Sequence, residues 1–78
     1  MNVKIMIRSS DQALRLSKIA ESYSFDIWIH GKSGKADAKS LLGLMLLTIE
    51  NDVTLVAPDE IDTTELEKEI AEFRIDTA

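Results

Sequence analysis

Val3, Ile5 and Ile7 are interleaved with Asn2, Lys4, Met6 and Arg8, the period-2 pattern of a half-buried strand. Ser9-Ser10-Asp11 then offers helix caps and an acid for the first turn. Ala13, Leu16, Ala20 and Tyr23 follow at spacings that share one helical face, which Ile19 widens, while Arg15, Lys18 and Glu21 turn to water. Alternation resumes with Phe25, Ile27 and Ile29 inward and Asp26, Trp28 and His30 outward. Gly31-Lys32-Ser33-Gly34 reads as a hairpin turn, with a short returning strand over 35–38.

Ser40 precedes a dense apolar run over 41–49 whose Leu/Met content and sparse β-branching favour helix over buried strand. Asn51-Asp52 turns the chain into a strand over 53–57, stopped by Pro58. Asp62 as cap with Glu65 predicts a last helix, with Ile61 stapled on Leu66 and with Leu66, Ile70 and Phe73 inward. The order β-α-β-β-α-β-α implies an antiparallel sheet with helices on one face.

Composition narrows the function classes. Seventy-eight residues, 45% hydrophobic, allow one domain (1–78) with a thin two-layer core and leave no room for a dinucleotide fold or a barrel. There is no Cys, hence no disulfide, thiol nucleophile or Cys-based zinc site, and a small domain without disulfides points to a reducing, cytoplasmic location. No apolar run nears the roughly 18 residues of a spanning helix, and the first residues lack a signal pattern, so neither membrane nor export is expected. The net charge of −5 argues against nucleic-acid binding. It is unevenly placed: residues 1–40 hold seven Lys/Arg against four acids, and residues 41–78 hold two against ten. Such a dipolar chain suits orientation by a protein partner.

Ser24-Phe25-Asp26-Ile27, the Gly31-Lys32 turn, Ala38-Lys39-Ser40 and Gly43-Leu44-Met45 carry a resemblance over almost the whole chain. The chain resembles the phosphocarrier protein HPr family of the bacterial sugar phosphotransferase system. The resemblance implies an α+β, open-faced β-sandwich, with a four-stranded antiparallel sheet and three helices on one face. In that family the first helix begins His-Ala-Arg-Pro, and the His takes phosphate from phosphoenolpyruvate through Enzyme I. Here the His position falls on Ser9, the Arg position on Asp11 and the Pro position on Gln12. A phosphoserine is an ordinary ester without the transfer potential of a phosphoimidazole, and Asp11 repels the phosphate that an Arg would hold. The connection near Asn51-Asp52 is also shorter than the family's.

Ser40 matches the serine that a kinase phosphorylates in many HPr proteins; as Ser is a favoured N-cap, a purely structural role competes. Leu41, Leu42, Met45 and Leu46 match the family's docking surface, with Leu46 more apolar than usual, while Leu44 and Leu47 belong to the core. Met6, Trp28, Thr54 and Val56 fall on the outward face of the sheet, where Trp28 is the natural anchor of a secondary interface. His30, the one histidine, lies on a strand away from the family's site and reads as an ordinary surface residue. Lys32, Lys35 and Lys39 form a weak anion patch near the hairpin. Scattered carboxylates with one His suggest no metal and no cofactor.

The expectation is a non-catalytic HPr-like module that binds proteins, namely phosphotransferase-system components, transcriptional regulators or an HPr kinase. The alternatives are a carrier using another phosphoacceptor and a structural domain forming a homodimer.

Overall fold

The computed structural model describes residues 1–50 and 52–75. Its strands are β1 (Asn2–Ile5), β2 (Trp28–Gly31), β3 (Gly34–Asp37) and β4 (Val53–Val56). They form one antiparallel sheet in the order β1-β4-β2-β3. Helices α1 (Ser10–Glu21), α2 (Leu41–Leu46) and α3 (Thr64–Glu69) complete the expected α+β architecture, the last two each extended by a 3-10 turn (Leu47–Ile49, Ala71–Phe73).

Strand alternation decides the layering. Val3, Ile5, Ile29, Val53 and Leu55 are buried together with Ala13, Leu16 and Ala20 of α1, Leu44 of α2, and Leu66 and Ile70 at α3. The other sheet face carries Lys4, Trp28, His30, Lys35, Thr54 and Val56, none of them buried. Ser17, the one buried polar side chain among the described residues, donates its hydroxyl to the Leu14 carbonyl at 2.9 Å, so its burial leaves no unpaired group. At the end of α1 the Tyr23 ring packs on Phe25 with centroids 5.3 Å apart, and its hydroxyl donates to Glu69 beyond α3's midpoint.

Four boundaries differ from the sequence pattern, the first being that β1 ends at Ile5, short of Met6, Ile7 and Arg8. The second strand begins at Trp28 and not at Phe25, because β3 ends at Asp37 and turns away. There the Ser40 N–H donates to the Asp37 carbonyl (2.8 Å) and the Lys39 N–H to Asp37 Oδ1 (2.9 Å), leaving Phe25 no opposite strand. The apolar run over 41–49 gives only six α-helical residues. Thr48 donates its hydroxyl back to the Met45 carbonyl (2.8 Å), and β-branched Thr48 and Ile49 tighten the end into a 3-10 turn.

Asp62 does not cap α3. Its Oδ1 accepts from the Thr64 N–H (3.0 Å) and hydroxyl (2.6 Å) two residues on, a local turn that holds its carboxyl below the usual value and leaves Thr63 as the flanking residue. A helix starting one residue late moves Ile61 out of the staple position, and it remains 36% exposed. The expected turn at Asn51-Asp52 lies partly outside the described residues; Asp52 itself pairs with Lys4 at 3.5 Å.

Candidate functional site

The first candidate is the start of α1. Ser9 takes an extended conformation (φ −157°, ψ 166°) and its Oγ accepts the Gln12 N–H at 3.2 Å. Gln12 reaches back, its Oε1 accepting the Arg8 N–H at 2.7 Å. The two bonds run in opposite directions across the helix entry, the second reaching one residue ahead of the N-cap, and Asp11 adds a negative charge in the first turn. Ser9 and Gln12 thus hold the entry into α1, with the Asp11 charge beside it. His30 sits on the outward face of β2, opposite Lys35 on β3 and Thr54 on β4, whereas α1 buries its stripe on the other side of the sheet. The imidazole and this helix start are on opposite layers.

The second candidate is α2. Ser40 (φ −97°, ψ 106°) is exposed, and its Oγ accepts the Gly43 N–H at 3.3 Å. Beyond it the helix divides cleanly. Leu44 and Leu47 enter the core, while Leu42 and Leu46 are 72% and 68% exposed, with Leu41 and Met45 at the margin of exposure. Ile49, at 88%, extends the same face. The family resemblance points to the four patch residues and not to Ile49, although 42, 46 and 49 share the i, i+4, i+7 spacing that would have found it.

A contact beyond any local pattern anchors the far end of this surface. Glu50 Oε1 accepts the Lys32 N–H and Oε2 the Ser33 hydroxyl, both at 2.7 Å, clasping the β2–β3 hairpin. The Ser33 bond first, then the Lys32 bond, holds the Glu50 carboxyl below its usual value. A Cβ on Gly31 would stand 2.7 Å from Glu50 Oε2, so glycine is what lets the carboxylate approach.

The third candidate is the open sheet face. Trp28 and Val56 are register partners there, and Lys35 Nζ lies 5.4 Å from the Trp28 ring centre, partly covering it. Met6 lies past the end of β1, half-buried, with its N–H bonded to the Phe73 carbonyl at 2.9 Å. Among the described residues, no three His, Cys, Asp or Glu side chains are grouped to hold a metal, and no helix is long and apolar enough to cross a membrane.

Residues 10–73 match the family model described as the PTS HPr component phosphorylation site. The chain belongs to the HPr family. It is similar to the crystal structure of HPr-C-His from Thermoanaerobacter tengcongensis, with 28% identity, a TM-score of 0.73, and 92% of this chain and 88% of that one covered. The histidine-containing phosphocarrier protein of a Mycoplasma shares the fold at 17% identity, with a TM-score of 0.69 and coverage of 92% and 93%. No curated protein matches. The phosphocarrier fold of the phosphotransferase system is therefore present, in a family that carries phosphoryl groups between proteins and does not itself catalyse.

Proposed function

We propose that this HPr-family chain binds proteins without relaying phosphoryl groups. The observation that carries the reading is the start of α1. By the sequence resemblance the family histidine's place falls on Ser9; that hydroxyl caps α1, Gln12 holds the preceding Arg8 N–H, and Asp11 repels an incoming phosphate. The only imidazole of the chain is on the far face of the sheet.

Docking is through Leu41, Leu42, Met45 and Leu46, extended by Ile49, an apolar strip too large to be a scatter of surface residues. Its partners are other phosphotransferase-system proteins or a transcriptional regulator, in the cytoplasm. Ser40, exposed at the head of that strip beside Lys39, is the candidate phosphorylation switch for an HPr kinase. The outward pair Trp28 and Val56, with Met6 nearby, is a secondary interface.

Incubation with phosphoenolpyruvate and Enzyme I, read by intact mass spectrometry, tests the central claim. No phosphoryl adduct is expected, and an adduct on Ser9, Ser10 or His30 would return the chain to the carriers. For the switch, wild type should take up phosphate from kinase and ATP and Ser40→Ala should not; equal uptake would leave Ser40 a cap only.

A further inference from the structure

The two edges of the sheet are finished differently. Outside β1 the chain end returns: Arg74 bridges Ile5, and the Ile75 N–H donates to the Lys4 carbonyl at 3.1 Å. Outside β3 no strand pairs among the described residues. One bond fixes where the β3 backbone groups point. The Ala38 N–H donates to the Ile27 carbonyl at 2.9 Å, so in this register Ile27/Ala38, Ile29/Ala36 and Gly31/Gly34 are the hydrogen-bonded pairs. Lys35 and Asp37 therefore turn their N–H and C=O groups away from β2, to the open edge. Ser40 takes the Asp37 carbonyl; the N–H and C=O of Lys35 and the N–H of Asp37 face outward, ready for another strand.

We propose that β3 of a second copy of this chain occupies that edge, antiparallel, about a two-fold axis through Ala36. The sequence Gly34-Lys35-Ala36-Asp37 is self-complementary in this register. Lys35 of each copy stands directly across from Asp37 of the other, where both residues present edge-facing backbone groups, with a non-hydrogen-bonded Ala36/Ala36 pair between them. No other self-register does this. A shift by one residue sets edge-facing groups against groups already turned to β2. A shift by two sets Lys35 on Lys35 or Asp37 on Asp37. A lysine on a short edge strand ordinarily repels a neighbour; the two-fold axis supplies its counter-charge. Asp37 uses Oδ1 for the Lys39 N–H and keeps its other oxygen for the incoming ammonium.

The inner side of the edge is also matched. A Cβ on Gly43 would stand 3.0 Å from the Ala36 Cβ, so α2 lies close over Ala36, and the exposed Leu46 lines the groove beside it. A second copy brings the same small floor and the same leucine, so both copies cover apolar surface in an isologous contact. The dimer stands apart from the docking reading, but it covers Leu46 and so competes with any partner seated there.

Sedimentation equilibrium between about 10 μM and about 1 mM should show a monomer–dimer equilibrium, as a small interface implies. Lys35→Asp alone and Asp37→Lys alone should each weaken dimerisation by about tenfold or more. An equimolar mixture of the two variants should recover it, because each supplies the charge the other lost. A wild type that stays monomeric throughout, whether its edge remains bare or takes a strand from a different protein, overturns the proposal, as does a mixture no better than its parts. Dilution of the wild type followed by amide NMR needs no variant to fold. The Lys35 and Asp37 amides should shift with concentration; shifts confined to Leu42 and Ile49 would place the contact elsewhere and overturn the edge pairing.

Discussion

Two helices of this chain begin at a serine whose hydroxyl accepts a backbone N–H, and beyond that bond they part ways. At α1, Gln12 answers Ser9 by capping Arg8, Asp11 adds charge, and the apolar side chains that follow, Ala13, Leu16 and Ala20, are buried. At α2, Ser40 caps alone, no acid stands in the first turn, and the face that follows is split between core and solvent. One helix start carries its own acid and leads into the core; the other carries none and opens onto exposed leucines. A helix start with no acid in its first turn suits a phosphate, and an exposed apolar strip suits a partner. In this molecule both features sit at the second helix and neither at the first.

The division within α2 gives the largest expected effect. Leu44 is fully buried, so Leu44→Ala should cost about 2–5 kcal/mol by lost burial and cavity formation. Leu42→Ala, two residues earlier, should change stability by no more than about 0.5 kcal/mol, because the side chain is already largely in water. Urea unfolding with an unchanged m-value reads both. Equal losses would place Leu42 in the core and remove the exposed apolar face from the comparison.

The caps come next. Ser9→Ala should cost about 1 kcal/mol, since Ser9 heads a twelve-residue helix, and Gln12→Ala should cost about half as much. Each bond holds the geometry of the other, so a double-mutant cycle should show coupling between Ser9 and Gln12. Ser40→Ala should cost only about 0.5 kcal/mol, its single acceptor bond being longer and its helix half the length. If Ser40→Ala were the costlier change, α2 and not α1 would own the structural cap, and a switch at Ser40 would lose its support.

How much of this was legible in the sequence depends on the range of each interaction. The α1 stripe and the glycine-flanked hairpin are local patterns, and the structure keeps them within a residue or two; the β1 alternation holds in burial through Ile7, although the paired strand ends at Ile5. The last helix misled because Asp62 and Thr63 both suit a cap. Asp62 bonding forward to Thr64 moves the start by one residue, a competition between side-chain geometries that spacing does not resolve. The start of α1 follows from the identities of Ser9, Asp11 and Gln12, but the bond from the Arg8 N–H to Gln12 depends on a side-chain conformation that spacing does not specify. Ile49 was within reach of periodicity. Glu50 was not: its partners lie at Lys32 and Ser33, and no local pattern links a residue after a helix to a hairpin turn.

That clasp also gives the smallest and most specific expectation, a pH signature. The bonds from Ser33 and Lys32 depress the Glu50 pKa in the folded state. The carboxylate therefore contributes stability that is fully present above its ordinary value of 4.5 and is lost as the pH falls through the lower folded value. The melting temperature of wild type should exceed that of Glu50→Gln at neutral pH, and the gap should close under acid. Asp62, also depressed, is common to both proteins and cancels in the difference. Gly31→Ala provides the cross-check. Its Cβ displaces the Glu50 carboxylate, so it should remove the same acid-sensitive part of the melting curve, and adding it to Glu50→Gln should remove no more. If the two changes proved additive, the hairpin would be held at Gly31 by something other than Glu50. The apolar strip ending at Ile49 would then lack its tie to the β2–β3 hairpin.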